Sequence, residues 1–125
     1  MIKSILIVGA GSFLGGAARY LLSKLVQDHA SGIFPWGTFV VNILGCFFIG
    51  LVYGLLDRNF DMSPAMKLFI TTGFCGGFTT FSTFIHENYL LFSPSGMPVF
   101  ALYAAGSLVA GLLCAWAGHG IVNSL

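Results

Sequence analysis

The residues best suited to chemistry lie in the string "GGFTTFSTF", residues 76–84, within a run apolar enough to cross a bilayer. The string contains four hydroxyl side chains, including those of Ser82 and Thr83, with three phenylalanines and two glycines. Hydroxyl hydrogens and the positive edges of aromatic rings both attract anions. Phe81 and Phe84 are three residues apart, so a helix would place both rings on one face. The string predicts an anion site at membrane depth; the alternative is that the rings only fill space.

Two other apolar runs carry polar side chains at helical spacing. Asn42 is the most polar of these residues, and an amide surrounded by hydrocarbon must find a partner, either in a pore or on a neighbouring helix. We therefore treat both stripes as candidate linings of a polar path. The first comprises Thr38, Asn42, Gly45 or Cys46, Ile49 and Tyr53, and the second comprises Tyr103, Ser107, Gly111 and Cys114.

Three of the ionisable side chains in the apolar runs could belong to an ion path. Arg19 carries a permanent charge, which is costly in a membrane unless the side chain faces water or an anion, or reaches the interface. His86 and Glu87 lie near the end of the third run. The sequence leaves open whether they serve an ion path or face water.

The elements that must position these residues follow from the composition. Of the 125 residues, 57% are apolar and 7% are charged, with a mean hydropathy of +0.93, whereas soluble domains are about 25% charged. Four apolar runs, residues 2–26, 36–56, 65–92 and 99–122, are each long enough for a helix across a hydrocarbon core of about 30 Å. The links between them are short and rich in Pro and Gly. The sequence predicts an all-α membrane protein of four transmembrane helices, with residues 1–125 forming a single transmembrane domain.

The third run has signs of an interrupted helix. Ser63 and Pro64 predict its N-cap and first helical position. Three glycines, at positions 73, 76 and 77, come before two threonines and weaken the helix in its middle. Because helices break at membrane depth where the freed backbone groups line a cavity or hold an ion, we expect a third helix that is broken mid-membrane.

Motifs of other protein classes are incomplete in this sequence. Gly9, Gly11 and Gly15 approach a dinucleotide-binding fingerprint, but another membrane-length run follows in place of a βαβ unit. Glycines spaced by four residues instead predict close helix packing. "HENYL" has Leu90 where a zinc-protease helix needs its second histidine, and the three cysteines lie far apart in three runs. We find no set of catalytic residues, and a net charge of +1 offers no nucleic-acid surface.

The charges near the ends of the runs give almost no orientation bias. Four spans place both termini on one side, which carries Lys3, Arg58 and Lys67. The other side carries Lys24 and, where it reaches the interface, Arg19. Because an excess of Lys and Arg selects the cytoplasmic side, three against two predicts that the chain inserts in both orientations. Four helices also leave little interior for a polar path, so we expect a homodimer, antiparallel if insertion is dual.

Three strings carry a resemblance to a known family. "GGAARY" at 15–20, "GTFVVNILGCFFIG" at 37–50 and "TGFCGGFTTFSTF" at 72–84 together resemble the Fluc (CrcB) family of bacterial fluoride channels, over essentially the whole chain. The resemblance implies a multi-pass protein of the bacterial plasma (inner) membrane that exports cytoplasmic fluoride by passive electrodiffusion and confers fluoride resistance. It also implies a dual-topology homodimer with two antiparallel pores and a central sodium ion at the dimer interface.

The resemblance further implies roles for individual residues. Phe81 and Phe84 match the ring-edge pair that lines fluoride positions, and Asn42 matches a pore-lining donor. Gly76 and Thr79 match the positions whose backbone carbonyls hold sodium. The other matches are Ser82, Thr83, Tyr103 and Ser107 as a hydroxyl track, and Arg19 at the wide aqueous entrance.

Two alternatives from other classes explain less of the sequence. A dual-topology four-helix exporter of small cationic compounds should carry a carboxylate within its first span, and residues 2–26 contain none. A membrane scaffold without transport would account for the seventeen glycines. It would not account for the hydroxyls, the rings and Asn42.

Overall fold

The computed structural model describes residues 1–125 and consists entirely of helices and short links. Four segments are long and apolar enough to cross a membrane, which confirms the prediction of four membrane-length helices. Three of them are single helices. These are α1 (Ile2–Asp28), α2 (Trp36–Asp57) and α6 (Met97–Asn123), while the third span, Pro64–Leu91, is made of α3 (Pro64–Leu68), a π-helix (Phe69–Cys75), α4 (Gly76–Phe78) and α5 (Ser82–Leu91).

The third span begins as the sequence predicts. Ser63 is the N-cap of α3, and its hydroxyl oxygen accepts a hydrogen bond from the Met66 amide at 3.1 Å. Pro64 occupies the first helical turn, where its missing amide hydrogen costs nothing. The cap therefore fixes where the chain re-enters the membrane.

The third span bends at residues 79–81, between α4 and α5. Thr79 has an extended backbone, with φ −91° and ψ 162°. The sequence locates the weak point at the glycines, whereas Gly76 and Gly77 are still helical and the bend follows them. The preceding π-helix is a rare form that is frequently found at functional sites.

Two helix pairs form the body of the chain. α1 packs along the first part of the third span, and α2 packs along α6. Glycine allows the first pair to approach closely, because a Cβ on Gly11 would lie 2.5 Å from the Phe69 carbonyl oxygen and one on Gly77 would lie 2.6 Å from that of Ser12. Gly50 likewise faces Ala115 across the second pair. These close contacts confirm the predicted glycine packing, except at Gly106, which precedes Ala110 by four residues but has no atom within 4 Å of where its Cβ would lie.

The ends of the helices are joined by polar contacts. The side-chain oxygen of Gln27 accepts a hydrogen bond from the Gly37 amide at 3.1 Å, which ties the end of α1 to the start of α2. Arg58 donates to the Val122 carbonyl oxygen at 2.8 Å. The carboxyl ends of α2 and α6 therefore lie on the same side, as four spans require.

Candidate functional site

A cavity of about 640 Å³ opens between α2, the third span and α6. It contains no charged side chain, so any ion inside it meets dipoles and aromatic rings only. Both predicted polar stripes contribute to its wall. The polar, aromatic and sulfur-containing side chains that line it are those of Asn42, Cys46, Thr71, Cys75, Thr79, Thr80, Phe81, Phe84 and Ser107.

Asn42 joins α2 to the bend of the third span. Its amide nitrogen donates to the Thr80 carbonyl oxygen at 2.9 Å, and its amide oxygen accepts from the Thr80 backbone nitrogen at 2.8 Å. A side-chain amide thus replaces the helical partners that Thr80 loses at the bend. The second amide hydrogen of Asn42, a residue that lines the cavity, has no protein partner.

Two backbone carbonyls of the bend have no helical partner. In a continuous helix the Gly76 carbonyl oxygen would accept from the Thr80 amide, but this amide donates to Asn42. The Thr79 carbonyl oxygen would accept from the Thr83 amide, but this amide donates to the Thr80 hydroxyl at 3.3 Å. Gly76 and Thr79 both line the cavity. Their oxygens are therefore available to a cation or to water.

The two predicted aromatic residues meet at the cavity wall. The ring centroids of Phe81 and Phe84 are 6.1 Å apart. Phe84 also makes an edge contact with Tyr103, with centroids 4.9 Å apart and planes at 61°. Phe81 is 73% exposed, so its ring is held by the single chain much less than that of Phe84. The two rings share a face as predicted, and Phe84 is the only aromatic neighbour of Phe81.

Ser107 presents a buried hydroxyl that has no hydrogen-bond partner. It lines the cavity from α6, as Asn42 does from α2. A buried polar group is nearly always satisfied by protein or water, so this hydroxyl is free to bond a water or an ion. Ser107 therefore offers one donor to whatever occupies the cavity.

A hydrogen-bonded group around the carboxylate of Glu87 lies one helical turn away from the cavity. Glu87 accepts hydrogen bonds from the Thr38 hydroxyl at 2.9 Å and from the Tyr103 hydroxyl at 2.7 Å. Thr38 precedes Asn42 by one turn of α2, and Tyr103 precedes Ser107 by one turn of α6. The sequence leaves the role of Glu87 open. Its two partners, Thr38 and Tyr103, are the first residues of the two polar stripes, which is the only sequence signal that points to them.

Other predicted site residues lie outside the cavity of the single chain. Ser82 and Thr83 are exposed on α5 and do not line it. Tyr103 is fully buried behind Phe84. Arg19 lies on the α1 side of the third span, where its Nε donates to the Gly77 carbonyl oxygen at 3.0 Å. Of the residues to which the resemblance assigns roles, the structure brings six together at the cavity, namely Asn42, Gly76, Thr79, Phe81, Phe84 and Ser107.

A second depression, of about 560 Å³, lies where α1 ends and α2 begins. Its walls are almost entirely apolar, and His29 is the only lining residue with an ionisable side chain. It holds none of the predicted site residues. The lining residues are Leu25, Val26, His29, Ala30 and Trp36.

Four membrane-length helices, three of which line an uncharged cavity with hydrogen-bond donors, define a multi-pass membrane protein. The sequence profile described as "CrcB-like protein, Camphor Resistance (CrcB)" matches residues 6–119. The chain belongs to this family, which confirms the resemblance seen in the sequence.

Curated relatives match nearly the whole chain. One from Nitratidesulfovibrio vulgaris is 44% identical over 118 residues, covering 94% of this chain and 95% of the relative. Another, from Chlorobaculum tepidum, is 46% identical over 118 residues, covering 94% and 93%. A third, from Flavobacterium psychrophilum, is 39% identical over 123 residues, covering 98% and 99%. Each of these three relatives is named "Fluoride-specific ion channel FluC".

Proposed function

We propose that this protein is a fluoride-specific ion channel that exports cytoplasmic fluoride by passive electrodiffusion and confers fluoride resistance. The observation that carries the proposal is the cavity, which combines hydrogen-bond donors and ring edges with no charged side chain. The relatives named as fluoride channels support it over nearly the full length of the chain. A channel of this kind requires neither a catalytic residue nor a nucleotide.

The chemistry of fluoride fits these groups. Fluoride is small and strongly hydrated, so a pore must replace its water with several donors that together bind it without trapping it. The free amide hydrogen of Asn42 and the unpaired hydroxyl of Ser107 supply such donors. The rings of Phe81 and Phe84 add positive edges.

The driving force needs no energy source in the protein. Hydrogen fluoride is neutral, crosses membranes from acidic surroundings and ionises in the cytoplasm. An inside-negative membrane potential then pushes the anion outward at about 2.3 kcal/mol per charge for each 100 mV. A passive pore that selects fluoride is therefore sufficient for export.

A homodimer accounts for the open side of the cavity. Ser82 and Thr83 are exposed, and Phe81 is 73% exposed, at a depth where uncovered polar groups would face lipid. A second copy of the chain would cover this face and complete the path. A two-fold axis is the commonest arrangement for such an assembly.

The proposed antiparallel arrangement rests on dual insertion, for which the charge count is weaker than the sequence suggested. Arg19 is held against Gly77, several residues before α1 ends at Asp28. Without Arg19, the basic residues number three on the side of the termini and one, Lys24, on the opposite side. The family resemblance still favours dual insertion, and a second copy on the open face would then be antiparallel.

Sodium is the proposed partner of the carbonyls at the bend, where we take the third helix to be broken mid-membrane. The Gly76 and Thr79 carbonyl oxygens have lost their helical partners, and no carboxylate lines the cavity. Neutral oxygens suit a monovalent ion, because divalent cations usually recruit carboxylates. A two-fold-related copy would supply the same two oxygens again, which would place the ion centrally in the dimer.

Fluoride efflux tests the proposed function directly. Liposomes loaded with potassium fluoride and carrying the purified protein would be diluted into fluoride-free medium, with valinomycin to carry the counter-current of potassium. We expect rapid fluoride efflux at an ion-selective electrode and no efflux from matched chloride-loaded liposomes. Absence of fluoride efflux, with proton-coupled uptake of a cationic dye, would favour the exporter of small cationic compounds instead.

The sodium proposal has a separate test that does not use fluoride. The thermal unfolding temperature of the purified protein would be measured in sodium chloride and in N-methylglucamine chloride at equal ionic strength. We expect a higher unfolding temperature in sodium, because a ligand that binds only the folded state stabilises it. Equal unfolding temperatures would contradict a structural sodium ion.

A further inference from the structure

Arg19 lies on the face of α1 that packs against the third span. Gly11 and Gly15 precede it at four-residue intervals on that face, and both are buried. A Cβ on Gly15 would lie 2.9 Å from the Phe78 backbone nitrogen, so the two backbones are in direct contact. Because this contact fixes the register of α1 on the third span, the next turn brings Arg19 to Gly77.

The Gly77 carbonyl oxygen depends on Arg19 for a hydrogen bond. In a straight helix this oxygen would accept from the Phe81 amide, but the bend at residues 79–81 removes that bond. The Nε–H of Arg19 donates to it instead, at 3.0 Å. A hydrogen bond from a charged donor is stronger than a neutral one. Arg19 therefore supplies the partner that the bend takes away.

The charge of Arg19 has no ionic partner in the chain. The two ion pairs of the molecule join Lys24 to Asp28 and His119 to Asp57. The terminal nitrogens of the guanidinium donate to no protein atom, and Arg19 does not line the cavity. Its one specific contact is with the third span.

We propose that Arg19 is a positioning residue, whose hydrogen bond to the Gly77 carbonyl oxygen holds the third span in its bent form. The Gly77 carbonyl lies in the peptide unit that follows the one carrying the Gly76 carbonyl, and the two units are joined at the Cα atom of Gly77. An external bond at Gly77 therefore orients the Gly76 carbonyl and, beyond it, that of Thr79. The role of these two carbonyls as sodium ligands rests on the proposed function. The effect of Arg19 on the bend of the third span does not.

Two substitutions at Arg19 separate the hydrogen bond from the charge. Arg19→Gln places an N–H donor at the same number of bonds from the backbone as the arginine Nε, and it removes the charge. The methionine side chain of Arg19→Met is as long as that of glutamine, but it has neither a donor nor a charge. Lys24→Met is the matched control, because it removes an exposed cation from the same helix.

Hydrogen–deuterium exchange of residues 76–84, in the purified protein, reads the state of the bend. We expect Arg19→Met to speed exchange roughly tenfold or more, the factor that corresponds to the loss of one hydrogen bond to a charged group. Arg19→Gln and Lys24→Met should exchange at the rate of the parent protein. If Arg19→Met exchanged at the rate of the parent protein, the proposal would be overturned. It would also be overturned if Arg19→Gln exchanged as fast as Arg19→Met, or misfolded to the same extent.

A second measurement is the sodium concentration that gives half of the maximal increase in unfolding temperature. General destabilisation of the protein would not change this concentration. Arg19→Met should need more sodium than the parent, because the carbonyls are no longer aimed. Arg19→Gln should need the same or less, because it keeps the bond and removes a nearby positive charge. A higher sodium requirement in both variants would contradict positioning through the hydrogen bond.

These measurements keep the two proposals apart. If the parent protein shows no stabilisation by sodium, the sodium part of the proposed function fails, and hydrogen exchange alone decides the role of Arg19. If the parent carries no fluoride in liposomes, the channel proposal fails, and the exchange result still applies to the bend.

Discussion

Asn42 and Thr80 exchange two hydrogen bonds, one in each direction, at 2.9 and 2.8 Å. The side-chain amide of α2 thereby holds both backbone groups of one residue in the bend of the third span. The resemblance assigns Asn42 to the pore as a donor, and the structure adds a second task. Asn42, the proposed donor to fluoride, therefore also holds the backbone of the bend, whose carbonyls are the proposed ligands of sodium.

Removing the Asn42 amide should therefore loosen the bend. Asn42→Ala leaves a part-buried amide hydrogen and carbonyl oxygen of Thr80 unpaired, which costs about 1–3 kcal/mol. We expect a lower unfolding temperature in detergent together with reduced fluoride efflux. Asn123→Ala, at an exposed amide near the end of α6, is the control. Equal stability of Asn42→Ala and Asn123→Ala would show that the two hydrogen bonds contribute little.

The ring edges at the cavity should matter more for transport than for stability. Phe81→Ile keeps apolar bulk but removes the aromatic quadrupole, and Phe81 is 73% exposed in the single chain. We expect sharply lower fluoride efflux from a protein that still folds, with Phe81→Met intermediate because its side chain is polarisable. Phe13→Ile, which alters a ring that is 75% exposed on α1, should leave efflux unchanged. Near-normal efflux from Phe81→Ile would assign the ring to packing.

Phe84 differs from Phe81 because it also contacts Tyr103, with ring centroids 4.9 Å apart. Phe84→Ile should lose that aromatic contact, worth about 0.5–1.5 kcal/mol, in addition to fluoride efflux. Thermal unfolding and liposome efflux would be measured on the same preparation. A stability loss with normal efflux would restrict Phe84 to packing.

Glu87 should stabilise the join between α2, α5 and α6. Glu87→Ala removes the acceptor of both the Thr38 and Tyr103 hydroxyls, and Tyr103 is fully buried, so the cost is about 1–3 kcal/mol for an unpaired buried donor. Glu87→Gln keeps one acceptor oxygen and should lose less. Asp61→Ala, in the exposed link before α3, is the control for loss of a carboxylate. The order of unfolding temperatures, with Ala below Gln, tests the two hydrogen bonds.

Neighbouring glycines on α1 should respond differently to alanine. A Cβ on Gly15 would lie 2.9 Å from the Phe78 backbone nitrogen, whereas one on Gly16 would meet nothing within 4 Å. Gly15→Ala should therefore destabilise the protein by about 1–3 kcal/mol through overpacking against a backbone that cannot yield. Gly16→Ala should be neutral or slightly stabilising in an α-helix. Similar unfolding temperatures for the two variants would contradict the close contact between α1 and the third span.

Dual insertion predicts that both orientations occur in one membrane. Tags at either terminus, labelled from one side of intact cells, should reveal two populations. Lys24→Gln removes the one basic residue near the interface on its side, so it should shift the population toward cytoplasmic termini, and Lys3→Gln should shift it the other way. A single orientation in the parent protein would exclude the antiparallel dimer without excluding a channel.

The sequence by itself determined the number of spans, the start of the third span at Ser63, and the strings that identify the family. These features are local or compositional: hydropathy over a membrane-length window sets a span, and a cap involves residues three apart. Tertiary structure decided the rest, since it depends on which residues of different spans meet. The bend lies after the glycines because the Thr80 backbone is bonded by Asn42, far away in sequence.

The same reason explains the residues whose positions the sequence could not give. The sequence gives no partner for Arg19, and the backbone contact at Gly15 brings it to a carbonyl of the third span. Glu87 had no assigned partner, because Thr38 and Tyr103 come from two other spans. A side chain's type, which the sequence states, determines which bonds it can make. The packing of the spans determines which of those bonds are within reach.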